Sequence, residues 1–336
     1  MRPSPRRMLI VCAGALAAVA MAGCSGVPGS AYTAAPSRAA GPVAPAASSA
    51  APKAKDASTP IVAKPSPSPS GPSLVISGAP ARVKARESVL ADASNGQVLW
   101  SKQPGAQRPM ASITKVMTAY LVIQSGHLDR TVTVPKGVVK YVSRYGGESG
   151  GTHAGEKLTT RDLLYDLMLQ SGADAAYTLA KTYGPGMGAF IARMNATARQ
   201  LGMDHTRFAS PDGLPYPTET STYSTPSDLL VLGETAMKSP VFRSIVGTTQ
   251  FHVTKGKGRS EHWWYNDDSL LRTYPGADGI KTGFTDTAGH CLLFEATRHG
   301  RTLIGVVLGS PATGFSASED DATKILNWGF SLKKTS

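Results

Sequence analysis

Residues 289–310 read GHCLLFEATRHGRTLIGVVLGS and contain two apolar runs separated by His299-Gly300. Two apolar segments that flank a short turn predict a β-hairpin. A second hairpin is indicated by residues 88–100, SVLADASNGQVLW, where Asn95-Gly96 lies between two apolar runs. Asn-Gly is a favoured two-residue turn between antiparallel strands. Both segments, residues 88–100 and 289–310, are therefore predicted to form β-hairpins.

Helical periodicity dominates the sequence between these hairpins, and a further helix closes the chain. The last segment, SASEDDATKILNWGF at residues 316–330, has acidic residues in its first turn, as helix N-termini prefer. Strands at both ends with helices between them predict an α/β fold of the α+β kind. We expect an antiparallel sheet whose N- and C-terminal strands pair, with helices packed on it. The predicted internal helices are Ser112–Gln124, Thr160–Gln170, Ala175–Lys181 and Met187–Leu201.

The N-terminal segment, residues 1–24, reads MRPSPRRMLIVCAGALAAVAMAGC and is typical of an export signal. A basic start precedes an apolar run that is short for a membrane span. The small residues before Cys24 resemble the lipobox of bacterial lipoproteins, so we expect Cys24 to be lipidated. The domain would then be anchored to the outer face of the cytoplasmic membrane. An ordinary cleaved signal, which would leave the protein secreted, is the alternative.

Residues 25–80 have a different composition from the rest of the chain. Eleven of the 24 prolines lie here among Ala, Ser and Gly, and no hydrophobic period is present. Such a segment cannot bury enough apolar surface to offset the entropy of ordering it. We predict a disordered tether at 25–80, followed by one large domain at 81–336 with its own core.

Charge and cysteine content exclude some classes of protein. The formal net charge is +12, but no basic run is interleaved with aromatic residues, so a nucleic-acid partner is not expected. Of the three cysteines, Cys12 lies in the signal and Cys24 in the lipobox, which leaves Cys291 without a partner. The domain should therefore rest on its core without disulfides. Cys291, in the apolar run CLLF, is predicted to be buried and inert.

Ser112 and Lys115 are a candidate catalytic pair within MASITKVMTAY, residues 110–120. Side chains three residues apart on a helix can meet. A desolvated lysine has a lowered pKa, and its neutral form can accept the proton of a hydroxyl group. Taken alone, the pair is also compatible with a helix cap beside a lysine that extends to solvent.

A second candidate feature is Lys281-Thr282-Gly283, which precedes a strand-like run. On an exposed sheet edge, a peptide can pair with the backbone as an additional strand. Gly283 would allow that backbone to approach closely. Lys281 would supply a cation, and the hydroxyls of Thr282 and Thr285 would supply hydrogen bonds to a carboxylate.

Three segments together carry a family resemblance: MASITKVMTAY, LLYDLMLQSGADAAYTLA and YPGADGIKTGFTDTAG. They resemble, in order, the motif regions of serine-type D-Ala-D-Ala carboxypeptidases, the low-molecular-mass penicillin-binding proteins of peptidase family S11. FASPDGLP and YSTPSDLLVLG also resemble family segments. The resemblance implies a penicillin-recognising serine transferase/β-lactamase-like fold, with an antiparallel sheet, a helical subdomain and an active site in the cleft between them.

The resemblance also implies roles for individual residues. Ser112 would attack the carbonyl of the penultimate D-Ala in a peptidoglycan stem peptide, and Lys115 would take its proton. Ser171 would relay protons and hold the lysine. The backbone N–H groups of Ser112 and Phe284 would form an oxyanion hole.

The remaining predicted site residues lie on the third motif. Lys281, Thr282 and Thr285 would bind the terminal carboxylate of the substrate or polarise the site, and Gly283 would provide the close approach. β-Lactam antibiotics are the expected inhibitors. The family's reaction requires neither a metal nor a cofactor.

The middle motif departs from the family pattern, because Ala173 stands where Asn is usual. If the missing amide aligns substrate, an Ala173→Asn change should increase D-alanine release, unless the pocket is adapted to alanine. The departure also keeps an inactive wall-binding lipoprotein open, beside a DD-transpeptidase or a β-lactamase-like hydrolase. Residues 147–151, GESGG, fit the Gly-x-Ser-x-Gly pattern of α/β-hydrolases, but the segment that follows favours a loop at the cleft mouth.

Overall fold

The computed structural model describes residues 78–311, 314 and 316–333. The predicted signal at 1–24, with Cys24, lies outside the described residues, as does the predicted tether up to residue 77. Within the described part of the chain, no helix has the length and apolar composition needed to cross a bilayer.

A five-stranded antiparallel sheet forms the centre of the domain, in the order β2-β1-β9-β8-β7. Its strands are β1 (Glu87–Asp92), β2 (Gln97–Lys102), β7 (Ala277–Thr285), β8 (Gly289–Arg298) and β9 (Arg301–Ser310). Two small two-stranded sheets pair β3 (Thr131–Thr133) with β4 (Lys157–Thr159), and β5 (Gln250–Val253) with β6 (His262–Tyr265).

The strand pairing confirms both predicted hairpins and the predicted closure of the sheet. β8 and β9 turn at His299 and Gly300, and β1 pairs directly with β9, with Val89 opposite Val306. Residues far apart in the chain thereby become neighbours in the sheet. β7 is an edge strand, as the peptide-pairing prediction requires.

The helices of the described residues are mostly inserted between β2 and β7. They are α1 (Lys115–Gln124), α2 (Val138–Tyr145), α3 (Thr160–Leu169), α4 (Ala173–Tyr183), α5 (Met187–Gln200), α6 (Pro226–Met237), α7 (Pro240–Val246), α8 (Leu270–Thr273) and the C-terminal α9 (Ala317–Ser331). Local signals explain several starts. α3 begins with a reciprocal capping box between Thr159 and Asp162, and α6 begins with Pro226 after the capping hydroxyl of Thr225.

The sheet is buried on both faces, which explains the continuous apolar runs of β8 and β9. Along β9, Ile304 and Val306 pack into the core shared with the inserted helices. Leu303 and Val307 alternate with them and pack into a second core beneath α9. Strands buried on both faces read as unbroken hydrophobic stretches, since alternating side chains point to opposite faces.

Cys291 lies on β8 and is fully buried with a free thiol. Burial raises the pKa of this thiol to about 12. Because the thiolate is the reactive form of cysteine, the predicted inertness of Cys291 follows from its environment.

Candidate active site

A cleft of about 460 Å³ lies where the edge strand β7 meets the start of α1, the loop after α2 and the loop before α4. Six of the predicted site residues line it: Ser112, Lys115, Ser171, Thr282, Gly283 and Phe284. Residues more than 150 positions apart in the chain therefore face one cavity, as the three-motif prediction requires.

Ser112 lies in a 3₁₀ turn, Ala111–Thr114, which leads directly into α1. The sequence predicted one helix from Ser112 onward; the tighter turn brings residues i and i+3 into register along its axis. The Lys115 Nζ atom lies 2.8 Å from Ser112 Oγ and donates a hydrogen bond to it. The predicted contact between the hydroxyl and the ammonium group is therefore present.

Lys115 is 1% exposed, and burial lowers the pKa of its ammonium group to about 8. The nearby carboxylate of Asp212 opposes this shift, and the positive charge of Lys281 reinforces it. A lysine with a pKa near 8 has an appreciable neutral fraction close to physiological pH. The pair can thus act as a hydroxyl nucleophile and its general base.

The backbone carbonyl of Asp212 holds the lysine, an arrangement that the sequence did not reveal. Lys115 Nζ donates to this oxygen at 3.1 Å, while the Asp212 carboxylate accepts from Tyr141 Oη at 2.7 Å. Asp212 lies in FASPDGLP, a segment whose family resemblance was the available signal. Gly213 follows it, and a Cβ there would lie 1.9 Å from the carbonyl oxygen of Ala111. The segment must therefore carry glycine at this position to pack against the 3₁₀ turn.

Gly283 permits a close approach between β7 and the 3₁₀ turn. A Cβ built on Gly283 would lie 2.9 Å from the backbone nitrogen of Ser112. A methyl group at that distance would clash with the backbone of the turn, so this contact requires glycine. The adjacent Phe284 is 46% exposed and packs against His290, with ring centroids 4.5 Å apart.

Lys281 and Thr285 are not among the residues that line the cleft, and their predicted roles in binding the carboxylate or polarising the site stay predictions. Lys281 is buried at 1% exposure behind Thr282, to whose Oγ1 its ammonium group donates at 3.4 Å. Burial lowers the pKa of Lys281, against the attraction of Asp267 and Glu148. Thr285 lies at the end of β7, where its Oγ1 accepts the backbone N–H of Ala288 and closes the turn.

Ser171 lines the cleft in a left-handed backbone conformation, with φ of 58°. No hydrogen bond joins its side chain to Lys115 among the described residues; the lysine instead bonds Ser112 and Asp212. Three residues after Ser171, the buried Asp174 anchors the loop at residues 149–152. Its carboxylate accepts hydrogen bonds from Ser149 Oγ and from the backbone N–H and the hydroxyl of Thr152.

Ser149 is not a nucleophile of the α/β-hydrolase type. Residues 147–151 follow α2 and continue into a loop, without the strand-to-helix turn that such an elbow needs. Gly146 and Glu148 line the cleft, so the predicted loop at the cleft mouth is present. The sequence also missed the residues that complete the lining from four other segments: Leu214, Asp267, His290, Ser318 and Glu319.

Comparisons with known proteins agree with this geometry. The profile of the Peptidase S11 family, D-alanyl-D-alanine carboxypeptidase, matches residues 75–312. The D-alanyl-D-alanine carboxypeptidase of Streptomyces sp. strain K15 is 43% identical over 249 residues, which cover 70% of this chain and 84% of that protein. DacB2 of Mycobacterium tuberculosis, another D-alanyl-D-alanine carboxypeptidase, is 36% identical over 247 residues, with coverages of 73% and 81%.

The chain belongs to the D-alanyl-D-alanine carboxypeptidase family. Among solved structures, the Streptomyces K15 DD-transpeptidase superposes with a TM-score of 0.71 and 39% sequence identity, covering 76% of this chain and all of that one. Both the predicted family and the predicted penicillin-recognising fold are confirmed.

In this member of the carboxypeptidase family, the middle motif carries Ala173 in place of the usual asparagine and so lacks a side-chain amide. Ala173 is fully buried at the start of α4 and does not line the cleft. A Cβ built on Gly147 would lie 2.6 Å from the Ala173 methyl carbon. The Ala173 N–H donates to the carbonyl of Glu148 at 2.8 Å. The alanine therefore lets the cleft-mouth loop pack closely against α4.

Behind this family motif, Asp166 is fully buried, and neither of its carboxylate oxygens has a hydrogen-bond partner within the described residues. It packs against Gly150 and Gly172. A Cβ atom would lie 2.1 Å from Asp166 Oδ1 if built on Gly150 and 2.0 Å from it if built on Gly172. Burial, followed by the nearby Asp174 carboxylate, raises the pKa of Asp166 well above its ordinary value. In the described part of the chain, no group of three or more His, Cys, Asp or Glu residues could hold a metal ion.

Proposed function

We propose that this protein is a serine D-alanyl-D-alanine carboxypeptidase that removes the terminal D-Ala from peptidoglycan stem peptides through an acyl-enzyme on Ser112. The observation that carries the proposal is the 2.8 Å contact between Ser112 Oγ and a fully buried Lys115 with a pKa of about 8. A helix-capping serine beside a solvent-extended lysine would not bury the ammonium group.

In the first step, neutral Lys115 takes the proton of Ser112 as Oγ attacks the carbonyl carbon of the penultimate D-Ala. The resulting tetrahedral centre expels the amine of the terminal D-Ala, which leaves with a proton returned by the lysine. Water then attacks the carbonyl carbon of the Ser112 ester and gives a proton to Lys115. The lysine returns a proton to Ser112 Oγ as the acyl–oxygen bond breaks and the shortened peptide departs. The carbonyl of Asp212 fixes the lysine beside the serine throughout these steps.

The edge strand β7 supports the binding half of the proposal. The substrate backbone would extend along Thr282–Phe284 as an additional strand, and the N–H groups of Ser112 and Phe284 would stabilise the oxyanion. Lys281, buried behind Thr282, contributes positive charge to this side of the cleft without contacting its surface. Ser171 lines the same cleft, where it would pass protons to the nucleophile through a bound water.

Intact-mass spectrometry after incubation with benzylpenicillin tests the assignment. We expect one stable penicilloyl adduct, located on Ser112 by peptide mapping and absent in Ser112→Ala. Lys115→Ala should fold and fail to form the adduct, whereas the matched control Ser149→Ala should be labelled like the wild type. An adduct on another serine would contradict the proposal, rapid loss of the adduct would indicate a β-lactamase, and no labelling would indicate an inactive binding protein.

Transpeptidation is a second candidate, because the solved relative at 39% identity is described as a DD-transpeptidase. The two reactions share the acyl-enzyme and differ in whether water or an amine accepts the acyl group. Incubation with a D-Ala-D-Ala peptide and increasing glycylglycine separates them. We expect released D-alanine to exceed transferred product at all amine concentrations; dominant transfer would favour the transpeptidase.

We further propose that the enzyme is an exported lipoprotein anchored through Cys24 to the outer face of the cytoplasmic membrane. The small residues before Cys24 and the proline-rich composition of residues 25–80 support this. Cys24→Ser should release the protein or leave it unprocessed, as measured by membrane fractionation and N-terminal mass. A processed mutant that remains in the membrane fraction would show that the anchor is not a Cys24 lipid.

A further inference from the structure

A second cavity, of about 450 Å³, lies at the end of the sheet opposite the cleft. It is a largely open depression lined by residues of the β8–β9 turn and of the C-terminal end of α9. His290, in the cleft, and Arg298, in this cavity, lie near opposite ends of β8, roughly 26 Å apart along the strand. An occupant of this cavity would therefore leave the Ser112 cleft open.

The charged groups of the cavity are all basic within the described residues: Arg298, His299 and Arg301 line it, with no carboxylate among the lining side chains. Arg298 and Arg301 are also direct cross-strand partners in the β8–β9 pairing. Like charges placed directly opposite each other destabilise an antiparallel pair. Within the protein, the buried Asp92 carboxylate compensates the charge of Arg301 from its Nε side. An anion between the two guanidinium groups would compensate the charge of Arg298 as well.

Arg301 is built into the fold and is only 8% exposed. Its Nε donates to Asp92 Oδ2 at 2.8 Å, and its Nη1 donates to the carbonyls of Gly329 and Leu332 at 2.8 and 3.4 Å. The remaining nitrogen, Nη2, is buried without a hydrogen-bond partner in the described structure. Buried donors are nearly always paired, so this orphaned guanidinium nitrogen points to a missing acceptor.

Arg298 is held in place by aromatic rings. Its guanidinium carbon lies 5.7 Å from the ring centroid of Tyr274 and 5.4 Å from that of Phe330. Asn327 lines the same cavity, and its Oδ1 accepts from Tyr274 Oη at 3.0 Å, which directs its amide NH₂ elsewhere. The cavity therefore combines an Arg298 guanidinium group packed on aromatic rings with the side chain of Asn327, and the Asp92 carboxylate reaches Arg301 only at its Nε.

We propose that this cavity binds a phosphate-bearing anion between Arg298 and Arg301. Guanidinium groups present forked donors that match the oxygens of phosphate, and two of them suit one phosphate or phosphodiester group. The volume exceeds that of a bare ion and accommodates the groups esterified to the phosphate. Binding here would hold the domain at a phosphate-rich surface independently of any lipid on Cys24.

Isothermal titration of the purified full chain with inorganic phosphate and with glycerol 3-phosphate tests the site. Asn327→Asp keeps the acceptor for Tyr274 and places a negative charge in the cavity, and Arg298→Gln removes one guanidinium group without touching the buried Arg301. Each should weaken binding by about tenfold or more. Arg199→Gln, at an exposed arginine on α5, is the matched control for lost charge.

Equal affinity in wild type and Arg298→Gln, equal weakening by Arg199→Gln, or acetate binding as tightly as phosphate would overturn the proposal. Co-sedimentation with phosphatidylglycerol vesicles distinguishes the source of the phosphate. Vesicle binding that is lost in Arg298→Gln and displaced by glycerol 3-phosphate would assign a lipid headgroup, whereas glycerol 3-phosphate binding without vesicle binding would assign a soluble or polymeric phosphate. Binding in neither experiment overturns it. Penicillin labelling of Ser112 should persist in every variant, so failure here is separable from failure of the proposed enzymatic activity.

Discussion

The pKa of Lys115 sets the pH dependence of the proposed chemistry. Because only neutral lysine can accept the serine proton, the rate constant for acylation by benzylpenicillin should rise about tenfold per pH unit below pH 8. Above about pH 8, where the lysine is already neutral, the rate should level off. Stopped-flow measurement between pH 6 and 9.5 checks this. A flat profile below pH 8 would show that Lys115 is not the base.

Ala173 illustrates how a motif residue can have a packing role. The sequence suggested that Ala173→Asn would increase D-alanine release by restoring an amide. The structure instead shows a fully buried methyl group against Gly147, so the larger side chain should overpack the site. We expect a destabilisation of about 1–3 kcal/mol and a reduced kcat/KM. Urea unfolding and D-alanine release measure the two effects, with Ala173→Ser as the smaller change; a stable, faster Asn variant would restore the first interpretation.

At the scale of elements, the contact between β7 and the 3₁₀ turn aligns the two halves of the site. Gly283→Ala would place a methyl group 2.9 Å from the Ser112 nitrogen, where only backbone movement can relieve the clash. Since small displacements of reacting groups are costly, we expect acylation to slow by roughly ten- to hundredfold. The measurement is the penicillin acylation rate.

Gly105→Ala is the matched control for the Gly283→Ala substitution, because no atom lies within 4 Å of a Cβ built at Gly105. It should leave acylation unchanged. If Gly283→Ala also acylates at the wild-type rate, the strand and the turn are not rigidly coupled.

For the whole molecule, Asp166 links stability to pH. Its pKa is raised in the folded state, so the folded protein keeps a proton that the unfolded chain loses above about pH 4. Stability should therefore fall as pH rises from about 4 toward the folded pKa, by up to about 1.4 kcal/mol per pH unit for this group. Asp174, Lys115 and Glu156 are the charged groups that act on it.

Asp166→Asn removes this titration while nearly preserving the shape of the side chain. Relative to the wild type, the variant should gain melting temperature progressively between pH 4.5 and 8, as measured by differential scanning fluorimetry. Asp204→Asn, at an exposed carboxylate, should show no such trend. A constant difference between Asp166→Asn and the wild type across this range would contradict the assigned pKa shift.

The sequence by itself determined what depends on near neighbours in the chain. Turn residues and apolar runs predicted both hairpins, periodicity predicted α3 and α5 to within a residue or two, and the i, i+3 spacing predicted the contact of Ser112 with Lys115. The order of the motifs was sufficient to identify the family. These features are local because turns, helices and short-range pairs depend on backbone geometry within a few residues.

Only the tertiary structure decided the features that arise from burial and from distant contacts. The carbonyl that holds Lys115 lies 97 residues away, at Asp212. The burial that lowers the lysine pKa requires segments from several parts of the chain, as does the packing that makes Ala173 a close contact. Desolvation depends on everything packed around a group, whatever its separation in sequence. For the same reason, the candidate anion site could not be read from the sequence. It combines the facing arginines of β8 and β9 with residues at the end of α9.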